Sequence, residues 1–178
     1  MTGITDQDVL LGLDLGTTNV KALVTDSNGR RLGESSRVVQ LFHVGNGGVE
    51  QNIEEIWQAT LAAIKAAVGS VDAAKIQAIG VSSQGGALQM LDAHGKPVGR
   101  VVSWLDERGH SFDEAITKEL GHDWFAQRIG HDRSAVCVGQ LLRLRKEQRE
   151  RLVPPNRMGF VGDVIVARKN VGIREQKP

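Results

Sequence analysis

The sequence is poor in cysteine, in long apolar runs and in net charge. Its 178 residues include one cysteine, Cys137, so an internal disulfide and a multi-cysteine zinc site are both excluded. A single thiol fits a reducing compartment, which favours the cytoplasm. No charged-then-apolar leader opens the chain, and no apolar run approaches the ~20 residues that a membrane-spanning helix needs. We therefore expect a cytoplasmic protein without a membrane partner.

Charge patterning gives no sign of a nucleic-acid partner. The 22 basic and 21 acidic residues leave a formal net charge of +1. The basic cluster between Arg143 and Arg151 alternates with Leu and Glu and lacks interleaved aromatics, which is typical of a solvated helix face. The five histidines show no paired metal-ligand spacing, which favours solvated or structural roles. These patterns exclude no enzyme class.

The first 43 residues predict a meander of antiparallel strands. Apolar-rich segments at 9–15 and 19–25 flank a polar bend, and a mixed segment follows at 31–43. The Asn28-Gly29 pair between the last two is favoured in tight hairpin turns. We therefore expect a sheet built from consecutive neighbouring strands.

The middle and end of the chain alternate helical and strand patterns. A glycine-rich loop at 44–52 leads to Asn52, which is suited to cap a helix, with Glu55 in the capping-box position. Apolar residues then recur at helical spacing as far as Val68, and this stripe places Trp57 in the core. Further predicted elements are a buried strand at 76–81, strands at 87–91 and 98–104, helices at 109–120, 123–129 and 137–150, and a last apolar segment at 160–167. The pattern predicts one α/β domain, a mixed sheet with packed helices and no dividing linker.

The bend Asp14-Leu15-Gly16-Thr17-Thr18 carries a carboxylate and two hydroxyls between strands. Consecutive amides in such a bend can form an anion-binding concavity, and glycine allows positive φ and close approach of a ligand. The threonines add donors for phosphate oxygens, Asp14 suits a hydrated Mg²⁺ that bridges to phosphate, and Lys21 adds a cation. The pattern predicts a phosphate site. The simpler alternative is a strand turn whose hydroxyls satisfy backbone groups.

The same bend resembles the first phosphate motif of the actin-like ATPase superfamily, which includes sugar kinases, 70-kilodalton heat-shock chaperones and actin. The resemblance implies an α/β, ribonuclease H-like domain with ATP and Mg²⁺ as cofactors. Because "DLGTTN" is as typical of chaperones as of kinases, a chaperone-like ATPase is one alternative.

Three later segments resemble the FGGY family of carbohydrate kinases. They are "GGVEQNIEEIWQA" (47–59), "IQAIGVSSQGGALQMLDAHGKPV" (76–98) and "VVSWLDERG" (101–109). Their order and spacing agree with the family over about residues 9–168, and the chaperones have no counterpart to them. The resemblance implies ATP-dependent phosphorylation of a hydroxyl on a small-molecule sugar or polyol, with a homodimer as one conceivable assembly.

The resemblance also implies roles for individual residues. Asp14 would face the Mg²⁺-nucleotide and hold the metal, and its phosphates would lie against Gly16, Thr17 and Thr18, with Lys21 nearby. The residues expected on the substrate side are Gln84, Gly85, Gly86, Trp104, Asp106, Arg108 and Asp163.

Each substrate-side assignment has a structural alternative. Trp104 could cap a strand end, and Asp106 and Arg108 could form a surface pair of little energetic weight. Gly85-Gly86 departs from the family, since glycerol kinases carry Arg-Glu and xylulokinases Met-His at this place. Glycines offer only backbone groups, so neither subfamily's substrate can be carried over.

The resemblance places two parts of the kinase outside this sequence. The family's catalytic base is an aspartate near the end of the first domain, and a second domain supplies the adenosine pocket, so no catalytic residue is assigned here. We expect a flexible N-terminus at 1–8, an incomplete kinase domain at 9–168 and a tail at 169–178 that departs from the family. A truncated or frameshifted gene would explain this, and a deliberate fragment or a gene-model error are alternatives.

Such a fragment has a predicted physical consequence. Half a nucleotide cleft would bind ATP weakly, and a sheet edge with apolar surface would be exposed. A non-catalytic remnant or interaction module is therefore a further alternative.

Overall fold

The computed structural model describes residues 8–69 and 71–174, with side chains as far as Arg168, so most of the predicted flexible N-terminus and tail lie outside the described residues. The strands are β1 (Val9–Leu15), β2 (Asn19–Asp26), β3 (Arg31–Val38), β4 (Phe42–Val44), β5 (Gly48–Gln51), β6 (Ile76–Ser83), β7 (Leu88–Leu91), β8 (Val101–Val102) and β9 (Arg157–Phe160). The helices are α1 (Ile53–Val68), α2 (His110–Leu120), α3 (His122–Ile129), α4 (Val138–Glu147) and α5 (Val161–Arg174). Among the described residues, no helix is both long enough and apolar enough to cross a bilayer.

The residues group into two compact units. Unit 1 comprises Met1–Leu41, Asn52–Gln84 and Ile165–Pro178, and unit 2 comprises Phe42–Gln51 and Gly85–Val164. The sequence predicted one domain without a linker. Because the chain passes between the units several times, no single connecting peptide marks their boundary in the sequence.

The sheet of unit 1 contains the predicted meander. Its strand order is β3-β2-β1-β6, with antiparallel β1–β2 and β2–β3 pairs and a parallel β1–β6 pair, so the sheet is mixed as expected. Alternate side chains of β1 and β2 are buried, as the two-residue period of a strand requires. These buried residues are Val9, Leu11, Leu13, Leu15, Val20, Ala22 and Val24.

Helix α1 begins at the predicted cap. The Oδ1 atom of Asn52 accepts from the Glu54 amide at 2.9 Å. The Glu55 carboxylate, predicted to face the Asn52 amide, accepts from the Gln40 amide at 2.7 Å. The side chains on the buried face of α1 become smaller towards its C-terminus, from Ile53 and Ile56 to Ala63 and Ala67. Small side chains there allow β3 to lie close to the helix.

Strand β6 is more exposed than predicted. The sequence predicted a buried strand at 76–81, but the side chains along β6 are exposed or half-buried. Within the described residues, β6 is the last strand of its sheet and pairs only with β1. Apolar composition alone cannot distinguish a central strand from an edge strand, which explains the error.

The predicted loop at 44–52 contains a β-hairpin. Strands β4 and β5 pair antiparallel, with Phe42 opposite Glu50 and Val44 opposite Gly48. Asn46 and Gly47 have φ values of 61° and 74°, the left-handed pair of a type I′ turn. The same Asn-Gly signal that predicted the turn at residues 28 and 29 is present here.

Unit 2 combines a five-stranded antiparallel sheet with helices. The strand order is β4-β5-β8-β7-β9, and its core joins Leu88, Met90 and Val102 to Leu144 of α4. The helices lie within a few residues of their predicted positions. Helix α4 approaches the start of α2 closely, because a Cβ atom on Gly139 would lie 2.3 Å from the Gly109 carbonyl oxygen.

Candidate functional site

The predicted phosphate bend joins β1 to β2 in unit 1. The Gly16 amide donates to the Asn19 carbonyl at 3.0 Å, which closes the turn, and Asn19 Nδ2 donates to Thr18 Oγ1 at 3.1 Å. Glycine allows a positive φ at this position, but Gly16 does not adopt one. Glycine is required at position 16 for a steric reason, since a Cβ atom there would lie 2.8 Å from the Asn19 carbonyl oxygen. Glycine therefore keeps the bend tight.

Asp14 and Lys21 face each other across this bend. They are directly paired in the β1–β2 register, and Asp14 Oδ2 lies 3.8 Å from Lys21 Nζ. Both side chains are more than half exposed, so the pair contributes little stability and either group can take another partner. Both line an open groove of about 900 Å³ in unit 1.

The bend has the donor set for a hydrated Mg²⁺-phosphate group. One accessible carboxylate suits Mg²⁺, which keeps several of its waters and accepts few protein ligands. The tight glycine bend leaves room for close approach, and the Thr18 side chain is exposed. Among the described residues, no group of three or more His, Cys, Asp or Glu could hold a metal by itself. The residues present therefore fit a metal that arrives with a phosphate ligand.

A cavity of about 1000 Å³ lies in unit 2. It brings together four of the predicted substrate-side residues, Gly85, Gly86, Trp104 and Asp106. The Trp104 side chain is 53% exposed, so its indole presents an apolar face to the cavity. Backbone groups, rather than side chains, form the wall at Gly85-Gly86.

Asp106 is the centre of a buried ion-pair network. Its side chain is fully buried, and its Oδ2 atom accepts from the Val49 amide at 3.0 Å and from Arg108 Nη2 at 2.6 Å. Gln140 Nε2 donates to the Asp106 carbonyl at 2.7 Å and to Oδ1 at 3.1 Å. Asp106 thus joins β5, the Glu107–Gly109 turn and α4.

The pKa of Asp106 lies below its ordinary value of 3.8. Burial of the carboxyl raises the pKa, but hydrogen bonds from the Arg108 side chain and from the Arg108 and Val49 amides outweigh it. Because the folded chain favours the ionised form, Asp106 contributes stability above its unfolded pKa. This contribution is lost as the pH falls through the lower folded-state pKa.

This shift predicts a pH dependence of stability. We expect the difference in unfolding free energy between the wild type and Asp106→Asn to be constant from about pH 7 to about pH 5, and to shrink below about pH 4. Urea unfolding of both proteins across this range measures it. The comparison with Asp106→Asn removes the background of other carboxylates, such as Glu54 and Asp92, whose pKa values are also lowered. A difference that does not change with pH would contradict the assignment.

Comparison with known proteins identifies the family. The sequence profile described as the FGGY family of carbohydrate kinases, N-terminal domain, matches residues 9–166. The chain belongs to this family. It is 34% identical over 109 residues to an apulose kinase of Pectobacterium atrosepticum, covering 61% of the chain and 22% of that kinase. It is 33% identical over 117 residues to a glycerol kinase of Alcanivorax borkumensis, covering 64% of the chain and 23% of that kinase. The chain thus spans just under a quarter of the curated relatives it matches.

Solved structures of FGGY kinases share the fold. A gluconate kinase from Lactobacillus acidophilus superposes with a TM-score of 0.80 at 22% identity, covering 89% of this chain and 32% of that kinase. Plasmodium falciparum glycerol kinase with ADP gives a TM-score of 0.80 at 16% identity, covering 93% of this chain and 35% of that kinase. The fold is therefore part of the actin-like ATPase fold, as predicted from the phosphate bend.

Arg108 of this FGGY domain does not line the cavity. Its side chain is 18% exposed, and its guanidinium donates to both Asp106 carboxylate oxygens and to Glu50 Oε1, the latter at 2.8 Å. Hydrogen bonding to Asp106, more than to Glu50, raises the pKa of Arg108 despite burial. The alternative of a surface pair between Asp106 and Arg108 is therefore wrong, because the pair is largely buried. Contact of Arg108 with a substrate stays a prediction.

Two further predicted FGGY residues have clear structural partners. Asp163 Oδ2 accepts from the Phe160 amide at 2.9 Å in the first turn of α5, and Asp163 is absent from the cavity lining. Gln84 directly follows β6, and its backbone N–H donates to the Leu15 carbonyl at 3.0 Å. Their substrate contacts also stay predictions.

The other wall of the cavity was not predicted. Asp113 Oδ1 accepts from the Gly139 amide at 2.9 Å and from Ser134 Oγ at 2.5 Å, so it ties the loop before α4 to α2. Polar residues recur along α2 at positions 110, 113, 114, 117 and 118, which is a one-sided stripe at helical spacing. This stripe was the available signal. The lining residues outside the predictions are Ser103, His110, Asp113, Glu114, Thr117, Lys118, Gly121, His122, Arg133, Ser134, Ala135, Val136 and Gln140.

Proposed function

We propose that this chain is the N-terminal part of an ATP-dependent kinase that transfers a phosphoryl group to a hydroxyl of a sugar or polyol. The observation that carries the proposal is the unit 2 cavity, which gathers Gly85, Gly86, Trp104 and Asp106 within a domain of a carbohydrate kinase family. The names of the relatives, apulose, glycerol and gluconate kinase, support a small polyhydroxylated acceptor.

The phosphate end of the reaction is assigned to the β1–β2 bend. The backbone of Gly16, Thr17 and Thr18 would bind phosphate oxygens, and Asp14 would hold a hydrated Mg²⁺ that neutralises charge on the transferred group. Lys21 is exposed and only loosely paired, so it can exchange Asp14 for phosphate. A family structure with ADP supports an adenine nucleotide as the phosphate donor.

The acceptor end is assigned to the unit 2 cavity. Trp104 would cover the C–H face of the substrate, while the polar stripe of α2 supplies partners for hydroxyls. Asp106 is unsuited to act as the general base, because its side chain is fully buried and its oxygens already accept from Arg108, Gln140 and the Val49 amide. We therefore do not assign the base to Asp106, and we propose from the family resemblance that the base lies outside residues 9–168 and that the 178-residue chain is inactive by itself.

A titration with Mg²⁺-ATP tests the proposal. We expect the backbone amide chemical shifts of Gly16, Thr17 and Thr18 to move on binding, with a millimolar or weaker dissociation constant because the groove beside the bend is open to solvent. Asp14→Asn is expected to abolish the Mg²⁺-dependent part of the shift, whereas the surface variant Asp123→Asn serves as a matched control. Shifts confined to other segments would contradict the assignment of the bend.

Turnover assays distinguish the alternatives. We expect no phosphorylation of pentuloses, polyols or aldonates by the 178-residue chain. Measurable transfer to one of them would support the kinase but overturn the proposed inactivity. ATP hydrolysis without any dependence on sugar would favour a chaperone-like ATPase instead.

A further inference from the structure

One end of the unit 2 cavity has no side chain at two consecutive positions, Gly85 and Gly86. A Cβ atom built on Gly85 would meet no heavy atom within 4 Å, so its side of the wall faces open space. Any larger residue at this position would project into volume that is empty in this chain. The width of the cavity here follows from the absence of a side chain at Gly85.

The neighbouring wall is formed by backbone in an uncommon conformation. Gly86 has φ 76°, and Val136 has φ 66°, a value rarely adopted by a β-branched residue. A Cβ atom on Gly86 would lie 3.4 Å from the Val136 carbonyl oxygen and 3.5 Å from Trp104 Cβ. A side chain at position 86 would therefore be strained by the positive φ, while its Cβ atom would make ordinary van der Waals contacts with both neighbours. The arrangement keeps this end of the cavity wide.

The exposed groups at this end are mainly apolar. The Val136 side chain is 64% exposed and Trp104 is 53% exposed. Of the charged lining residues, Asp113, Glu114 and Lys118 come from α2, and Arg133 lies in the segment that leads to Val136. The cavity therefore has a polar wall suited to several hydroxyls and a wide end suited to carbon substituents.

We propose that the substrate is a sugar or polyol of pentose size or larger, with its bulk against Gly85, and that a three-carbon polyol is a poor ligand. A cavity of about 1000 Å³ is at the upper end of the range for small-molecule sites, and a small ligand would leave much of its wall without contacts. The proposal rests on the proposed function, because it takes this cavity as the acceptor site.

Binding to the 178-residue chain tests the proposal without nucleotide. The probes are glycerol, xylitol and D-glucitol, and the readouts are the Trp104 indole and Gly86 amide resonances. We expect xylitol or D-glucitol to bind at least about tenfold more tightly than glycerol. Gly85→Leu is expected to weaken binding of the larger polyols by at least about tenfold while changing glycerol binding much less.

The matched control is Gly45→Leu in the same unit. Gly45 also has no heavy atom within 4 Å of its Cβ position, its φ is not positive, and it does not line the cavity. We expect this variant to bind all three polyols as the wild type does, which separates loss of cavity volume from a general effect of adding leucine.

Three outcomes would overturn the proposal: glycerol binding as tight as xylitol binding, unchanged xylitol binding in Gly85→Leu, or no binding of any probe. Size-selective polyol binding combined with no Mg²⁺-ATP response at Gly16–Thr18 would leave this inference standing and contradict the proposed kinase function.

Discussion

Replacing Asp106 with alanine is expected to destabilise the chain by about 3–5 kcal/mol, the range measured when one partner of a buried ion pair is removed. The substitution removes an acceptor from Arg108, from Gln140 and from the Val49 amide. Glu50 remains near the Arg108 guanidinium, but one carboxylate cannot replace the bidentate contact with Asp106. The loss therefore combines an uncompensated cation with unsatisfied buried donors.

The matched control is Asp132→Ala. Asp132 also forms a hydrogen-bonded ion pair with an arginine, since Arg133 Nε donates to its Oδ1 at 3.0 Å. Both side chains of this pair are more than 60% exposed. Solvent screens such a pair, so we expect little change in stability. Urea unfolding followed by far-UV circular dichroism compares the two variants. Equal losses of unfolding free energy in Asp106→Ala and Asp132→Ala would contradict the prediction that the Asp106 network stabilises unit 2.

The β1–β2–β3 meander was predictable because its signals are local. The apolar-rich segments at 9–15 and 19–25, the polar bend between them and the Asn28-Gly29 pair all lie within a few residues of the structure they specify. The hairpin at 45–48 carried an equally local signal in Asn46-Gly47, but its surrounding glycines obscured the short strands. Local turn chemistry was thus sufficient at Asn28-Gly29, whereas at Asn46-Gly47 the signal was present but the hairpin was predicted as a loop.

The environment of β6 and of Asp106 was not predictable from local patterns. The exposure of β6 depends on which strand lies beside it, and its only partner in the described chain is β1. Asp106 was interpreted from its sequence neighbour Arg108, whereas Glu50 and Gln140 are distant in sequence and complete the network. Long-range pairing determines whether such a carboxylate is an exposed surface group or a buried centre.

The candidate site was predicted in part for the same reason. Gly85, Gly86, Trp104 and Asp106 were assigned by resemblance to FGGY kinases and line one cavity. The α2 wall was missed because its polar stripe is also typical of a solvent-exposed helix face. Only the tertiary contact of Asp113 with the 134–139 segment distinguishes the two.

Gly33→Ala is expected to destabilise unit 1 by about 3 kcal/mol or more, at or above the upper end of the usual range for overpacking. A Cβ atom at Gly33 would lie 2.1 Å from the Ala67 carbonyl oxygen of α1. That atom belongs to the helix backbone, so no rotamer change can relieve the contact. The last turn of α1 would have to move away from β3, and the buried Ala63 and Ala67 would lose part of their packing.

Gly12→Ala on β1 of the same sheet provides the matched control. The nearest heavy atom to a Cβ on Gly12 is the Leu23 carbonyl oxygen at 3.9 Å, an ordinary contact. Because glycine in a strand interior costs about 0.5–1 kcal/mol relative to alanine, Gly12→Ala should be neutral or slightly stabilising. Amide hydrogen exchange at residues 65–69 measures the opening of the last turn of α1 directly. We expect faster exchange in Gly33→Ala alone, and equal protection in both variants would show that β3 and α1 are not closely packed at Gly33.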